Sequence, residues 1–148
     1  MRTMTIKELL KDQERLYFYY QSALKKSQKK FEINKNHQKN SLYLAKQAAI
    51  ILKEKFNASK VALFGSILDL ETFTQWSDID IAAWGLEPSE TLLAMDTVQS
   101  LSDEIEINLV DINTVKSEVY QSILKNHQEI WFLLIWKSQD ILMMNLLA

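Results

Sequence analysis

The sequence predicts an α+β domain: short strands set among helices, with a helical extension ahead of them. Three observations carry this. Residues 5–31 hold no glycine or proline and many helix formers. The two glycines, Gly65 and Gly85, each end a short β-rich run. A length of 148 residues with 47% hydrophobic content suits one compact core with an appendage.

In the extension, Leu9, Leu10, Leu16, Tyr17, Tyr20 and Leu24 follow a loose helical rhythm. The polar run FEINKNHQKN, residues 31–40, reads as a break or a frayed helix end. Leu42, Ala45, Ala49, Leu52 and Phe56 then recur at steps of three and four, an amphipathic helix over 40–56 that ends near Asn57. Lys60 to Phe64 is a strand stopped by Gly65, and Asp78 to Trp84 a second stopped by Gly85. Pro88 opens a helix over Thr91 to Leu101, with Ser89 or Glu90 placed to serve its first-turn N–H groups. The run EIEINLVDI, Glu104 to Ile112, alternates as a third strand with Ile105, Ile107 and Leu109 on one face. Asn113 or Thr114 caps a helix to about Lys125, and Ile130 to Trp136 is a fourth strand or an apolar helix start.

Composition narrows the class. Without cysteine there is no disulfide framework and no thiolate metal site. The N-terminus is charged throughout, unlike a signal peptide, and no run reaches membrane-span length. A soluble, cytoplasmic protein with no membrane partner is expected. Net charge is −2 but unevenly spread. Residues 1–60 carry 14 basic against 5 acidic side chains, and residues 61–148 carry 3 against 14. A solvated helix surface accounts for the basic arm. The other readings are a polyanion contact, or an arm laid across the acidic body of its own or a second copy. Basic residues beside Tyr17, Phe18, Tyr19 and Tyr20 allow base stacking, but packing on the body or a partner helix is the plainer role. The tail IWFLLIWKSQDILMMNLLA is apolar for a chain end, and is expected to dock on the body, a second copy or another protein.

The chemistry concentrates in FGSILDLETFTQWSDID, residues 64–80. Gly65 lets backbone approach a ligand closely, and Ser66 offers a hydroxyl and an N–H at the start of a turn, a natural phosphate position. By itself Gly-Ser is usually only a turn. Asp78 and Asp80, two apart on a strand, share a face, while Ile79, Ile81 and Ala83 supply the opposite, apolar one. Paired carboxylates on a largely buried strand repel and resist desolvation. The bland account is a pair of exposed strand-end aspartates. A divalent cation between them is the better one beside a phosphate cradle, because Mg²⁺ takes one or two carboxylates plus phosphate oxygens and water.

These residues resemble the signature of the minimal nucleotidyltransferases of the DNA polymerase β superfamily: hydrophobic-Gly-Ser, about ten residues, then Ser-Asp-x-Asp-hydrophobic. The likeness extends through LAKQAAIILKEKFNASKVALFGS and INLVDINTVKSEVYQSILKNHQEIW, roughly residues 41–131. It implies a small mixed β-sheet flanked by helices, with the site at one sheet edge. It also implies that Gly65 and Ser66 hold the β- and γ-phosphates of ATP, that Asp78 and Asp80 bind Mg²⁺, and that Ser77 orients the loop and touches phosphate. The family's third carboxylate falls at Asn108, an amide that cannot accept a proton at neutral pH. Glu106, two residues earlier on the same strand face, is the candidate substitute. Asp111 has the opposite parity. The loop ILDLETFTQW also lacks the basic residue that relatives often carry.

Many such proteins are encoded beside a small ribonuclease toxin of the HEPN class. The resemblance therefore implies an antitoxin that moves AMP from ATP to a toxin hydroxyl. The alternative is a catalytically weakened binding module that neutralises its partner by occlusion; a nucleic-acid modifier guided by the basic arm is a weaker third reading. The expected organisation is a basic helical arm over 1–37, a nucleotidyltransferase domain over 38–131 and an apolar tail over 132–148. His37 and His127 read as surface residues, and Trp76 and Trp84 as rim or core packing, with adenine stacking as the alternative.

Overall fold

The computed structural model describes residues 3–130. Helix α1 spans Ile6–Lys55 as one 50-residue element. A capping box starts it: the Glu8 N–H donates to the Thr5 hydroxyl at 3.2 Å, and the Thr5 N–H donates to the Glu8 carboxylate at 2.9 Å. The break expected at 31–40 does not occur. Asparagine and histidine cost a helix only a few tenths of a kcal/mol each relative to alanine, and no glycine or proline stops the run. Asn34 and Gln38 also bond to distant loops rather than to their own backbone. The helix gives way at Asn57, whose φ of 55° is a left-handed conformation that asparagine tolerates. Just beyond, the Ala58 N–H donates to the Leu52 carbonyl at 3.0 Å.

The described chain forms two compact units, residues 1–33 and residues from 34 onward. In the first, Tyr17, Phe18, Tyr19 and Tyr20 keep 62–68% of their surface exposed.

The second unit holds a four-stranded sheet: β1 (Lys60–Phe64), β2 (Ile79–Trp84), β3 (Ile107–Asp111) and β4 (His127–Glu129), in the order β3-β2-β1-β4. β2 runs parallel to β3 and antiparallel to β1, and β4 is antiparallel to β1. This is the mixed sheet that the motif resemblance implies. Alternation decides which side chains meet. Ile79, Ile81 and Ala83 of β2 join Val61 and Leu63 of β1 and Ile107 and Leu109 of β3 in one core. Leu42, Ala45, Ala49 and Leu52 of α1 close it, with Ala94 and Val98 of α2 (Thr91–Gln99). Phe73, from the long loop between β1 and β2, is fully buried in the same cluster.

The caps differ from expectation. No side chain caps α2 or α3 (Ser117–Lys125). Asp111, 1% exposed, does related work: it accepts from the Thr91 hydroxyl at 2.8 Å and from the Asn113 N–H at 3.0 Å. β4 falls at His127–Glu129, before the expected position, because Phe64 and Leu63 pair there. Residues 131–136 and the tail 132–148 lie outside the described residues.

Leu52→Ala should lower unfolding free energy by about 2–5 kcal/mol in urea titration, since Leu52 is fully buried between α1 and the sheet. The matched change Leu16→Ala, at 68% exposure, should stay within about 0.5 kcal/mol.

Candidate active site

Three elements converge at one end of the sheet. β1 stops at Phe64, and Gly65 takes φ 77°, opening a four-residue 3-10 turn, Gly65–Leu68. Strand register sets Phe64 opposite Asp80, and Asp80 opposite Asn108. The Asp80 carboxylate lies directly over Gly65: a Cβ there would sit 2.5 Å from Asp80 Oδ2. Glycine is therefore needed twice, for the left-handed φ and for the room its missing side chain leaves to an aspartate. The Asn108 amide donates to Asp80 Oδ1 at 3.2 Å from the other side.

The electrostatics of Asp80 follow from this crowding. Burial pushes its carboxyl above the ordinary range, the Asn108 hydrogen bond pulls it back, and the charge of Asp78 pushes it up again. An anion penalised in this way gains more than an exposed one from a nearby cation.

The loop from Asp69 to Ser77 is folded upon itself. The Asp69 carbonyl accepts from the Phe73 N–H at 2.9 Å, and the Asp69 carboxylate accepts from the Glu71 N–H at 2.9 Å. The Ser77 hydroxyl accepts from the Thr74 N–H at 2.9 Å. Trp76 projects from this turn at 82% exposure. Trp84 instead carries the Lys60 ammonium 4.6 Å from its ring centroid.

The structure thus brings Gly65, Asp80 and Asn108 into contact and sets Asp78 within electrostatic reach of Asp80. Ser66 is partly buried in the 3-10 turn, and the Ser77 hydroxyl is engaged within its own loop. Glu106 lies one step before the β2–β3 pairing that begins at Ile79 and Ile107. It is exposed just before β3, where its carbonyl accepts from the Ile79 N–H at 2.9 Å. Among the described residues no three His, Cys, Asp or Glu side chains could share a metal ion. What is present fits one oxygen-seeking divalent cation: two carboxylates, one raised by burial and by its neighbour, beside a glycine turn. Asp78 and Asp80 would hold it.

Neither histidine is a bare surface residue. The His127 ring bonds through Nδ1 to the Ile123 carbonyl at 3.0 Å and through Nε2 to Lys60 Nζ at 3.2 Å. His37 bonds through Nε2 to the Ser77 carbonyl at 3.0 Å and stacks on Phe73, ring centroids 5.1 Å apart. The signal for Asn34, His37 and Gln38 was their phase. Counting back from Leu52, Ala49, Ala45 and Leu42 in steps of three and four arrives at Gln38 and Asn34.

Comparison with known proteins agrees with the motif. The family profile described as "Polymerase beta, Nucleotidyltransferase" matches residues 46–132. No curated protein matches. Among solved structures, the chain is similar to a toxin–antitoxin crystal structure with AMP-PNP, at 22% identity and TM-score 0.49, covering 66% of this chain and 79% of that one. It is also similar to a tri-AMPylated Shewanella oneidensis HEPN toxin in complex with MNT antitoxin, at 20% identity and TM-score 0.48, covering 62% and 71%. A third is the MntA-HepT toxin–antitoxin, at 21% and 0.44, covering 60% and 71%. Among the described residues, no helix is long and apolar enough to cross a membrane.

The raised Asp80 carboxyl fixes a sign. The folded state holds that proton more tightly than the unfolded chain does, so its contribution to stability is complete below the ordinary 3.8 and is lost as pH rises through the raised value. Asp80→Asn removes that loss. Calorimetry at pH 7 without divalent ions should show a higher Tm than wild type, and a stability profile that falls less as pH rises above the ordinary carboxyl range. Gly65→Ala should act oppositely, costing about 1–3 kcal/mol in urea through strain at positive φ, with added disorder where its Cβ meets Asp80.

Proposed function

The chain belongs to the polymerase β nucleotidyltransferase family, and from that premise we propose that it moves AMP from ATP to a hydroxyl of a partner protein. The observation that carries this is the Asp80 carboxylate lodged over Gly65 with the Asp78 charge beside it. One turn and one strand edge thereby offer a phosphate position and a cation position side by side. The partner proposed is the one the motif resemblance implies, a HEPN-class ribonuclease toxin, and the acceptor is a tyrosine hydroxyl of it.

In this reading the Gly65–Ser66 turn binds the β- and γ-phosphates, with Ser77 ordering the loop that leads to Asp78. Asp78 and Asp80 would hold Mg²⁺, which would offset charge on the triphosphate and polarise the α-phosphate. Asn108 keeps Asp80 oriented by its hydrogen bond. The acceptor oxygen forms a bond to the α-phosphorus, the bond from that phosphorus to the bridging oxygen breaks, and pyrophosphate leaves. The hydroxyl proton passes to solvent, because the amide of Asn108 does not take it.

That last point favours a second reading. With an amide donating to Asp80 where relatives place a carboxylate, the site lacks a general base, a loss typically of about 10²–10⁴-fold in rate. Binding needs no such base, so the chain would then neutralise its partner by occlusion.

Labelled ATP, Mg²⁺ and the product of the adjacent gene separate the two. Transfer should label the partner, vanish with Asp78→Asn plus Asp80→Asn, and increase by about 10²-fold with Asn108→Asp. Undiminished labelling by the double variant would place catalysis elsewhere. Absence of label in wild type and in Asn108→Asp, with tight partner binding retained, would establish occlusion.

A further inference from the structure

One turn of α1 touches both halves of the site. Asn34, His37 and Gln38 lie at i, i+3 and i+4 and so share a helix face. The Gln38 amide nitrogen donates to the Ile67 carbonyl at 2.8 Å, inside the 3-10 turn that begins at Gly65. His37 Nε2 donates to the Ser77 carbonyl at 3.0 Å. That carbonyl belongs to the same planar peptide unit as the Asp78 N–H. The Asn34 side-chain Oδ1 accepts from the Gln75 N–H at 2.9 Å, two residues further back in the same loop.

We propose that Asn34, His37 and Gln38 form a clamp that positions the phosphate turn and the metal-binding loop relative to each other. They are positioning residues and act through backbone groups, not on substrate. The inference rests on the nucleotidyltransferase reading for its consequence, but not for its structural content.

Polarity at these positions is otherwise hard to account for. Gln38 is fully buried, and its Oε1 and the neighbouring Ser41 Oγ have no hydrogen-bond partner among the described residues. Buried polar atoms without partners cost stability, so an apolar side chain in that stripe would make the better core. The bond to Ile67 is what glutamine adds. His37 has two separable contacts: a stack on buried Phe73, which any aromatic ring supplies, and a donor to Ser77, which only a polar group supplies. The geometry assigns its ring proton, since a carbonyl only accepts and Nε2 must donate. The two loops meet the helix from opposite ends of a long, glycine-free connection. The β1–β2 register fixes Gly65 against Asp80, and the helix side chains hold the segments beyond it, the turn at Ile67 and the loop at Gln75 and Ser77.

Native-state hydrogen exchange on the full chain tests the clamp without needing turnover. His37→Phe keeps the stack and removes the donor. It should speed exchange in residues 74–79 by roughly 2- to 13-fold, the effect of one lost hydrogen bond. His37→Gln, which restores an amide donor, should return exchange toward wild type. Gln38→Met should speed exchange in residues 65–69 while leaving Tm equal or higher. In each case β2 and β3 should keep their protection. With labelled ATP, both donor-deleting variants should raise the KM for Mg·ATP about 10- to 100-fold, as loss of ligand-orienting contacts does elsewhere. Unchanged exchange in both loops overturns the clamp, as does equal loss across β2 and β3, which marks general packing. If wild type transfers nothing, the functional reading fails, and the exchange data still decide the clamp.

Discussion

The Asp80 carboxylate against the Gly65 backbone is the contact on which the rest of this domain depends. Two stretches 15 residues apart in sequence meet there because β1 and β2 pair antiparallel with Phe64 opposite Asp80. The register has no slack. A slip of one residue would carry Asp80 to the core face and Ile79 or Ile81 to the site. The apolar alternation of β2 thus enforces the placement of its charges. The hydrophobic core and the polar site are two sides of one strand.

The same contact leaves the Asp80 carboxylate crowded. Asp80 is desolvated, close to a second carboxylate and supported by one neutral amide. Interactions that would relax it in the protein alone, such as a lysine or arginine at hydrogen-bond distance, would also compete with a cation. The protein accepts a local loss of stability at this edge and recovers it in a core where α1, α2 and three strands share fully buried aliphatic side chains. Active sites commonly hold such groups, since the strain relieved on binding adds to affinity.

α1 is the element whose role changed most between sequence and structure. Its C-terminal half is legible as an amphipathic helix, Leu42 through Phe56, and packs as expected. The polar run before it reads as a break, because asparagine and histidine are poor helix formers and good turn formers. Their side chains found partners in a loop some 40 residues away, and local propensity holds no information about such partners. The exposed aromatic block has the opposite history. Tyr17 to Tyr20 look like packing residues, yet lie exposed among the described residues, so their chemistry remains open to a partner.

By itself the sequence determined β1, β2 and β3, the second half of α1 and the two-part motif. These depend on period and composition, which are local. The likeness of INLVD to the family's third-strand segment singled out Asn108, and the parallel register sets that residue opposite Asp80. Only the tertiary structure decided that Phe73 anchors the intervening loop, and that His37 and Gln38 bond to its two ends. Each of those outcomes is set by distance between elements far apart in the chain. Such distances come from packing helix against sheet, and no window of residues encodes them.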